Sequence, residues 1–327
     1  MRKLFPFLAV LVSAPALWLL WALWLPLYPP GGRALVLLRP GYSSRRVARE
    51  LKSSGVIRDA NAFMFWHALQ RGASLKAGEY LFARGASAVE VHRRLVLGDV
   101  YFHTVVIPEG FNLFEIASAI ENAGLGRREE FLKVATSDMA LISDLAPQAT
   151  SLEGYLFPDT YQFTRTESMG DMAAKMVKNF RRVATEIGLH QDVERTVTLA
   201  SIIEKETGAA EERPEVASVY LNRLANRIPL QADPSVIYAE LLKGTYSGAL
   251  HHNDMSFDSP YNTYRHAGLP PGPIANPGRS SLEAAMHPAS THFLYFVSDG
   301  SGRHRFSDTL EEHNRNVAAL RRAVAGH

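Results

Sequence analysis

Hydrophobic residues fill almost the whole first part of the chain, from Leu4 to Tyr28, and Ser13 is the only clearly polar residue among them. About 20 consecutive apolar residues are enough to cross the hydrocarbon core of a bilayer as a helix. A cleaved signal peptide would have a shorter apolar stretch, followed by a small-residue cleavage site. The pattern therefore favours an uncleaved, single-pass transmembrane helix over residues 4–28.

The residues on either side of this apolar stretch predict its orientation. Arg2 and Lys3 precede it, and basic residues concentrate on the cytoplasmic side of membrane proteins. Residues 1–3 are therefore predicted to lie in the cytoplasm, with the remainder of the chain outside the inner membrane. Residues 29–33, PPGGR, form a short linker.

Between residues 34 and 100 the apolar positions alternate between the periods of strands and helices. The pattern predicts a strand at Ala34–Leu38, two helices, a second strand around Tyr80 and a third helix capped by Ser87. This β-α-α-β-α block has the size of one small subdomain.

Residues 101–327 mix helical and strand patterns, so the expected class of the whole chain is α+β. Asp308 and Glu311 have the spacing of a capping box, which predicts the start of a final helix. Asp254–Gly278 is rich in Pro, Gly, Asn and Tyr and is predicted to be a long ordered loop. The other predicted elements are strands at 102–107, 292–298 and 303–307, and helices at 113–123, 128–136, 139–145, 171–186 and 193–207, with one more after Pro214.

One predicted helix carries a carboxylate on its apolar face. At 100° per residue, Leu199, Ile202, Ile203 and Glu206 lie on one stripe, and Glu204 lies on its flank. Burial disfavours an ionised carboxylate, and a raised pKa is what a general acid needs near neutral pH. The alternative is that Glu206 is solvated at the helix end or paired in a salt bridge.

Composition excludes several other classes of protein. The chain has no cysteine, so neither disulfides nor thiol chemistry are available, and its 35 basic and 33 acidic residues give a net charge of only +2. Nucleic-acid binding therefore has no electrostatic support. Twelve histidines occur without an H-E-x-x-H motif, and no serine-hydrolase elbow or nucleotide-binding glycine motif is present, so no metal or cofactor is expected.

Three runs combine carboxylate, amide and aromatic side chains: Glu153–Tyr161, Gln231–Ser235 and Tyr261–Tyr264. Amides hydrogen-bond to sugar hydroxyl and acetamido groups, and aromatic rings stack on sugar faces, so such a mixture suits a carbohydrate cleft. The alternative is that these are turn residues and core aromatics. The candidate substrate-binding residues are Glu153, Tyr155, Gln231, Asp233, Tyr261, Asn262 and Tyr264.

Longer stretches extend these runs over most of residues 104–316. They are IPEGFNLFEIA, LEGYLFPDTYQF, ASIIEKET, VASVYLNRL, LQADPSVIYA, SPYNTYRHAGLPPGPIANPG, SLEAAMHPA and LYFVSDGSGRHRFSDTLEEHN. Their content and order resemble the MltG (YceG-like) family of endolytic murein transglycosylases. Residues 34–100, which include SLKAGEY, more weakly resemble the LysM-like subdomain of that family, and residues 101–327 its YceG-like catalytic domain.

The resemblance implies a lyase that cleaves peptidoglycan within its glycan strands, between N-acetylmuramic acid and N-acetylglucosamine, and leaves 1,6-anhydromuramic ends. It also implies that the enzyme terminates nascent strands beside the peptidoglycan synthases. The catalytic acid of the family is the second Glu of E-K-E-T, which is Glu206 here. The Glu206-Thr207 pair also resembles the Glu-Ser pair on the catalytic helix of lysozyme-like transglycosylases. Glu204 is a candidate supporting neighbour, and the alternative is that it is a solvated residue on the flank of the helix.

Two alternatives stay open at this point. The first is a muramidase that uses water, with Asp233 or Glu153 as its second carboxylate. The second is a membrane-tethered scaffold that binds peptidoglycan without cleaving it.

His287 and His313 are further candidate hydrogen-bond donors.

Overall fold

The computed structural model describes residues 4–325, with side chains from residue 13 to residue 323. The predicted cytoplasmic residues 1–3 lie outside the described residues. The first helix, α1, spans Leu4–Leu23 and contains Pro15. Within the described part of the chain, no helix has the combined length and hydrophobicity of a membrane span.

The chain forms two compact units. The first contains the residues up to Thr104 together with Gln162–Ser168, and the second contains Val105–Tyr161 and the residues from Met169 onward. The mixture of twelve helices and three small sheets among residues 4–325 confirms the α+β class.

The first unit has the predicted β-α-α-β-α order. Its elements are β1 (Ala34–Leu38), α2 (Ser44–Ser53), α3 (Ala60–Leu69), β2 (Gly78–Phe82) and α4 (Ala88–Leu97). The two strands pair antiparallel, with Ala34 opposite Phe82 and Leu38 opposite Gly78. Ser43, Asp59 and Ser87 accept hydrogen bonds from the first turns of α2, α3 and α4, because a capping oxygen satisfies otherwise unpaired amide groups.

Strands β3 (His103–Ile107) and β4 (Asp159–Phe163) pair. The second unit is mainly helical and holds a small sheet in which β5 (Tyr295–Ser298) pairs antiparallel with β6 (His304–Ser307). The helices are α5 (Leu113–Asn122), α6 (Arg128–Ala135), α7 (Met169–Glu186), α8 (Val193–Glu206), α9 (Arg213–Ala225), α10 (Asp233–Lys243), α11 (Arg279–Met286) and α12 (Leu310–Ala325).

Two local predictions were wrong. The helix predicted at 139–145 is only a 3-10 turn at Met139–Leu141. The capping box predicted for the last helix does not form, because α12 begins at Leu310 and the Thr309 hydroxyl accepts a hydrogen bond from the Glu312 amide at 3.2 Å. The sequence patterns also missed β4, α10 and α11.

Candidate active site

Glu206 is the last residue of α8, and the core holds that helix in place. Leu199, Ile202 and Ile203 are at most 3% exposed, as the helical stripe predicted. Thr207 then takes an extended conformation, so the helix stops at the carboxylate. The apolar face of α8 therefore fixes where the Glu206 side chain begins.

The half-buried Glu206 carboxyl accepts a hydrogen bond from Tyr220 on α9, whose hydroxyl donates to Oε1 at 2.6 Å. Burial raises the pKa of Glu206 to about 7; the Tyr220 hydrogen bond opposes this rise, and the charge of Asp233 adds to it. Both the acid and its conjugate base are therefore populated near neutral pH, which suits a group that must give and later take a proton.

A pocket of 270 Å³ surrounds this carboxyl. Four of the residues predicted from the sequence line it together: Glu206, Gln231, Asp233 and Tyr264. The pocket is also lined by His313, proposed above as a hydrogen-bond donor, and by residues that no motif singled out. Those residues are Tyr220, Arg223, Leu230 and Phe296.

The loop before α10 is held by Thr263. Its carbonyl accepts from the Gln231 amide at 3.2 Å, and its hydroxyl accepts from the Ala232 amide at 2.9 Å. Gln231 has a φ of 53°, a left-handed conformation that is uncommon for residues other than glycine. Asp233 follows as the first residue of α10 and accepts a short hydrogen bond from the Tyr264 hydroxyl. This contact gives the pocket a second carboxylate in a fixed position.

Arg223 brings a positive charge to the pocket without neutralising Glu206 through a salt bridge. Its Nε donates to the Leu294 carbonyl and its Nη1 to the Leu230 carbonyl, both at 2.7 Å. The guanidinium also lies over the Tyr295 ring, 5.3 Å from its centre. Within residues 13–323, none of the ion pairs found joins Arg223 to Glu206. These backbone contacts fix the guanidinium while leaving Glu206 free to bind a proton.

Glu204, two residues before Glu206, differs from it in forming a salt bridge. Its carboxylate forms a 2.9 Å ion pair with Arg213, and the two side chains are only 5% and 7% exposed. It also accepts a hydrogen bond from the Gly278 amide at 2.9 Å. Its two oxygens are each held by one of these partners, so this carboxylate joins α8 to α9 and to the start of α11.

Glu153 and Tyr155 lie in the interior and do not line the pocket. Glu153 is 1% exposed, and its oxygens accept from the Leu113 amide at 2.9 Å and the Asn276 side-chain amide at 2.7 Å. Tyr155 is fully buried with its ring edge against Phe180. Both residues contribute to the core that supports the site.

Tyr261 and Asn262 also lie outside the pocket. The Asn262 side chain is completely buried and donates to the carbonyls of Met255 and Phe257 at 3.0 and 2.8 Å. The Tyr261 ring packs against Tyr238, with 5.2 Å between ring centres. Asn262 therefore organises the loop from which Tyr264 reaches Asp233.

Replacing Glu153 with glutamine is expected to remove a pH-dependent part of the free energy of unfolding. Burial raises the pKa of Glu153 from 4.5 to about 8, so the folded state favours the neutral carboxyl. Its stabilising contribution is complete below about pH 4.5 and is lost as the pH rises through about 8. The free energy of unfolding is measured with urea at pH 5 and at pH 8. Between these two pH values it should fall by about 3 kcal/mol more in the wild type than in the variant.

The exposed residue Glu129 provides the control for this comparison. Glu129→Gln should leave the pH dependence of unfolding as it is in the wild type. Parallel profiles for wild type and Glu153→Gln would show instead that the buried carboxyl is ionised throughout.

Together these features define an α+β protein with a carboxyl-centred pocket suited to general acid–base chemistry. Within residues 13–323, no group of three or more His, Asp or Glu side chains is arranged to hold a metal ion. The titratable groups that line the pocket include Glu206, Asp233 and the phenol groups of Tyr220 and Tyr264.

Comparisons with known proteins place the chain in a family. The model of the YceG-like family matches residues 36–319. A Bacillus subtilis (strain 168) protein named endolytic murein transglycosylase is 34% identical over 297 residues, which cover 84% of this chain and 81% of that protein. A Streptococcus pneumoniae (strain D39) protein of the same name is 30% identical; the match covers 85% of this chain and 56% of that protein.

A solved structure shows the same relationship. The crystal structure of a YceG-like protein from Listeria monocytogenes has a TM-score of 0.56 and 33% sequence identity to this chain. The match covers 86% of this chain and 98% of the Listeria chain. The chain belongs to the YceG-like family.

Proposed function

We propose that this protein is an endolytic murein transglycosylase that cleaves the bond between N-acetylmuramic acid and N-acetylglucosamine within peptidoglycan strands, leaving 1,6-anhydromuramic ends. The observation that carries the proposal is the Glu206 carboxyl, with a pKa raised by burial to about 7, inside a pocket. The two relatives named endolytic murein transglycosylase support the choice of substrate.

The first half of the reaction uses Glu206 as an acid. Its proton goes to the glycosidic oxygen, the bond from that oxygen to the anomeric carbon breaks, and positive charge develops on that carbon. Asp233 lines the same pocket and is held by Tyr264, so its carboxylate faces this charge without becoming a nucleophile. Protonating the leaving oxygen is the step for which a half-buried, neutral carboxyl is suited.

The second half uses the same group as a base. Glu206 is now ionised, and the Tyr220 hydrogen bond stabilises that form. It removes the proton from the C6 hydroxyl of the muramic ring, whose oxygen attacks the anomeric carbon and closes the anhydro ring. The attack is intramolecular, so holding the ring in position supplies much of the rate. One carboxyl gives and recovers one proton, and no water is consumed.

The size of the pocket is consistent with this task. Its 270 Å³ lies just below the range for ligand sites, which is about 300–1,000 Å³. It therefore suits one ring of the strand at the reacting position, with neighbouring rings outside it.

Product analysis in heavy-oxygen water tests the proposal directly. Purified glycan strands are digested with the full-length protein in H2(18)O, and the fragments are analysed by mass spectrometry. The proposal predicts anhydro ends that are lighter than reducing ends by one water and carry no label. Labelled reducing ends would instead establish a muramidase with Asp233 as its second carboxylate. Binding of strands without cleavage would establish a scaffold.

Substitutions at Tyr220 and Asp233 are expected to move the alkaline limb of the pH–rate profile in opposite directions. Activity should fall as the pH rises through about 7 because Glu206 must begin protonated. Tyr220→Phe removes a hydrogen bond that lowers the pKa of Glu206, so the limb should move up by about 0.5–1 pH unit. Asp233→Asn removes a charge that raises this pKa, so the limb should move down.

The measurement is kcat/KM against pH for the wild type and both variants, since this quantity reports the free enzyme. Shifts in the same direction, or a limb that neither substitution moves, would show that Glu206 does not set the profile.

The cellular context is also part of the proposal. Residues 4–28 would anchor the protein in the inner membrane, with residues 1–3 in the cytoplasm and the rest of the chain outside; the apolar sequence and its flanking basic residues support this topology. From that position the enzyme would terminate strands beside the peptidoglycan synthases. The antiparallel pair β1–β2 with two helices between its strands supports a LysM-like subdomain at residues 34–100.

A further inference from the structure

A larger cavity, of 870 Å³, adjoins the Glu206 pocket in the same unit. Lys205 lines this cavity, and the next residue, Glu206, lines the pocket. In the same way, Asp233 lines the pocket, and the next residue, Pro234, lines the cavity. The C-terminal end of α8 and the first turn of α10 therefore separate two spaces. Because consecutive residues line the two spaces, the cavity lies beside the position of a ring bound in the pocket.

The body of the cavity is apolar. Phe111, Phe114, Ile237, Leu241 and Ile274 supply most of its hydrophobic wall. Its volume lies within the range of about 300–1,000 Å³ that ligand sites occupy. Such a wall suits small aliphatic groups better than the hydroxyl-covered edges of a bare sugar.

The polar residues of the cavity favour an anion. Arg128 and Lys205 both line it. Lys205 Nζ donates a hydrogen bond to the Gly110 carbonyl at 3.2 Å. Within residues 13–323, the Arg128 guanidinium has no hydrogen bond or ion pair. The acidic residue there, Glu115, already accepts a 2.8 Å hydrogen bond from the Asn112 amide. The cavity thus has two cationic side chains, and its one acidic side chain, Glu115, already has a hydrogen-bond partner.

From this arrangement we infer that the cavity binds the peptide stem carried by the muramic acid ring. The inference rests on the proposed function. In peptidoglycan that stem branches from the lactyl group of the ring to be cleaved, and it combines alanine methyl groups with free carboxylates. The glycan itself has no carboxylate while the peptide is attached, so only the peptide matches both the apolar wall and the two cations.

The test compares two forms of one substrate with the full-length protein. Glycan strands are used either with their peptides or after an N-acetylmuramoyl-L-alanine amidase has removed them. The wild type should have the higher kcat/KM on peptide-bearing strands. Arg128→Gln should lower the ratio of the two kcat/KM values. Arg128→Gln with Lys205→Met should lower it about tenfold, which is about 1.4 kcal/mol for two partly exposed ionic contacts together.

Arg127 is the matched control because it precedes Arg128, is largely exposed and does not line the cavity. Arg127→Gln should leave the ratio at its wild-type value. The inference would be overturned if the Arg128→Gln variant lost kcat/KM equally on both substrates. It would also be overturned if the double variant kept the wild-type ratio. Arg128→Gln is decisive because Arg128 lies on α6 rather than on the helix that carries Glu206.

A binding measurement separates this inference from the proposed function. N-acetylmuramyl-L-alanyl-D-isoglutamine is titrated into the isotope-labelled protein, and amide shifts are followed at Asn122 and Leu241, which line the cavity. If the wild type cleaves neither substrate, the proposed function fails. Shifts that weaken in the double variant would still support the peptide site, whereas the absence of shifts at both amides would refute it.

Discussion

Replacing Glu206 with glutamine should abolish strand cleavage, with kcat reduced towards the upper end of the 10²–10⁴-fold range for general acid–base groups. Glutamine preserves the shape of the side chain and can still accept the hydrogen bond from Tyr220. It cannot donate a proton to the leaving oxygen or recover one from the C6 hydroxyl. Both halves of the reaction lose their catalyst, so the defect should appear in kcat rather than in KM.

The measurement is the release of anhydro-ended fragments from purified strands. Glu211→Gln is a suitable control, because Glu211 is close in sequence but its side chain is 59% exposed. Thermal unfolding should show all three proteins folded. Retained cleavage by Glu206→Gln together with loss of cleavage in Glu204→Gln would reassign the acid to Glu204.

The largest effect on stability is expected at Arg213. Arg213→Met should lower the free energy of unfolding by about 3–5 kcal/mol, because it leaves the buried Glu204 carboxylate without its partner. Arg213 also contacts Ser280 on α11 and lies 3.7 Å from Glu109. Urea unfolding of the full-length protein, monitored by circular dichroism, measures this change.

A double substitution separates the pair from its surroundings. Glu204→Gln with Arg213→Met replaces the buried ion pair by neutral groups and should recover a large part of the lost stability. Arg303→Met is the matched control, because its ion pair with Glu211 is well exposed on both sides and should contribute less than about 1 kcal/mol. A single Arg213→Met variant as stable as this control would refute a structural role for the pair.

The sequence was most informative where local periodicity and burial agree. The stripe on α8 correctly placed Leu199, Ile202 and Ile203 in the core. The Ser87 cap of α4 was also predictable, since a cap depends only on its next few residues. The error at Asp308 shows the limit of such local rules, because two adjacent residues could begin α12 and the structure uses Thr309.

The rest of the site depends on contacts between distant parts of the chain. Tyr220 and Arg223 lie in the VASVYLNRL stretch, but the helical pattern does not mark them as pocket residues. They line the pocket because α9 packs beside α8. The residue types of the LEGYLFPDTYQF run indicated a sugar site, but the structure explains them by close packing. Gly154 in this run has a φ of 89°, and a side chain there would come within 2.7 Å of Val197 on α8. Glu153 and Tyr155 surround this close approach, which explains their residue types through packing.

The place of Glu206 at the final residue of α8 has a consequence for how its acidity could change over evolution. The peptide dipoles of a helix sum to a partial negative charge at its C-terminal end, which opposes a second negative charge there and so acts in the same direction as burial. This contribution comes from the main chain and survives substitution of every neighbouring side chain. Related sequences can therefore vary the walls of the pocket widely while keeping a weakly acidic glutamate, provided that the helix still ends at that residue.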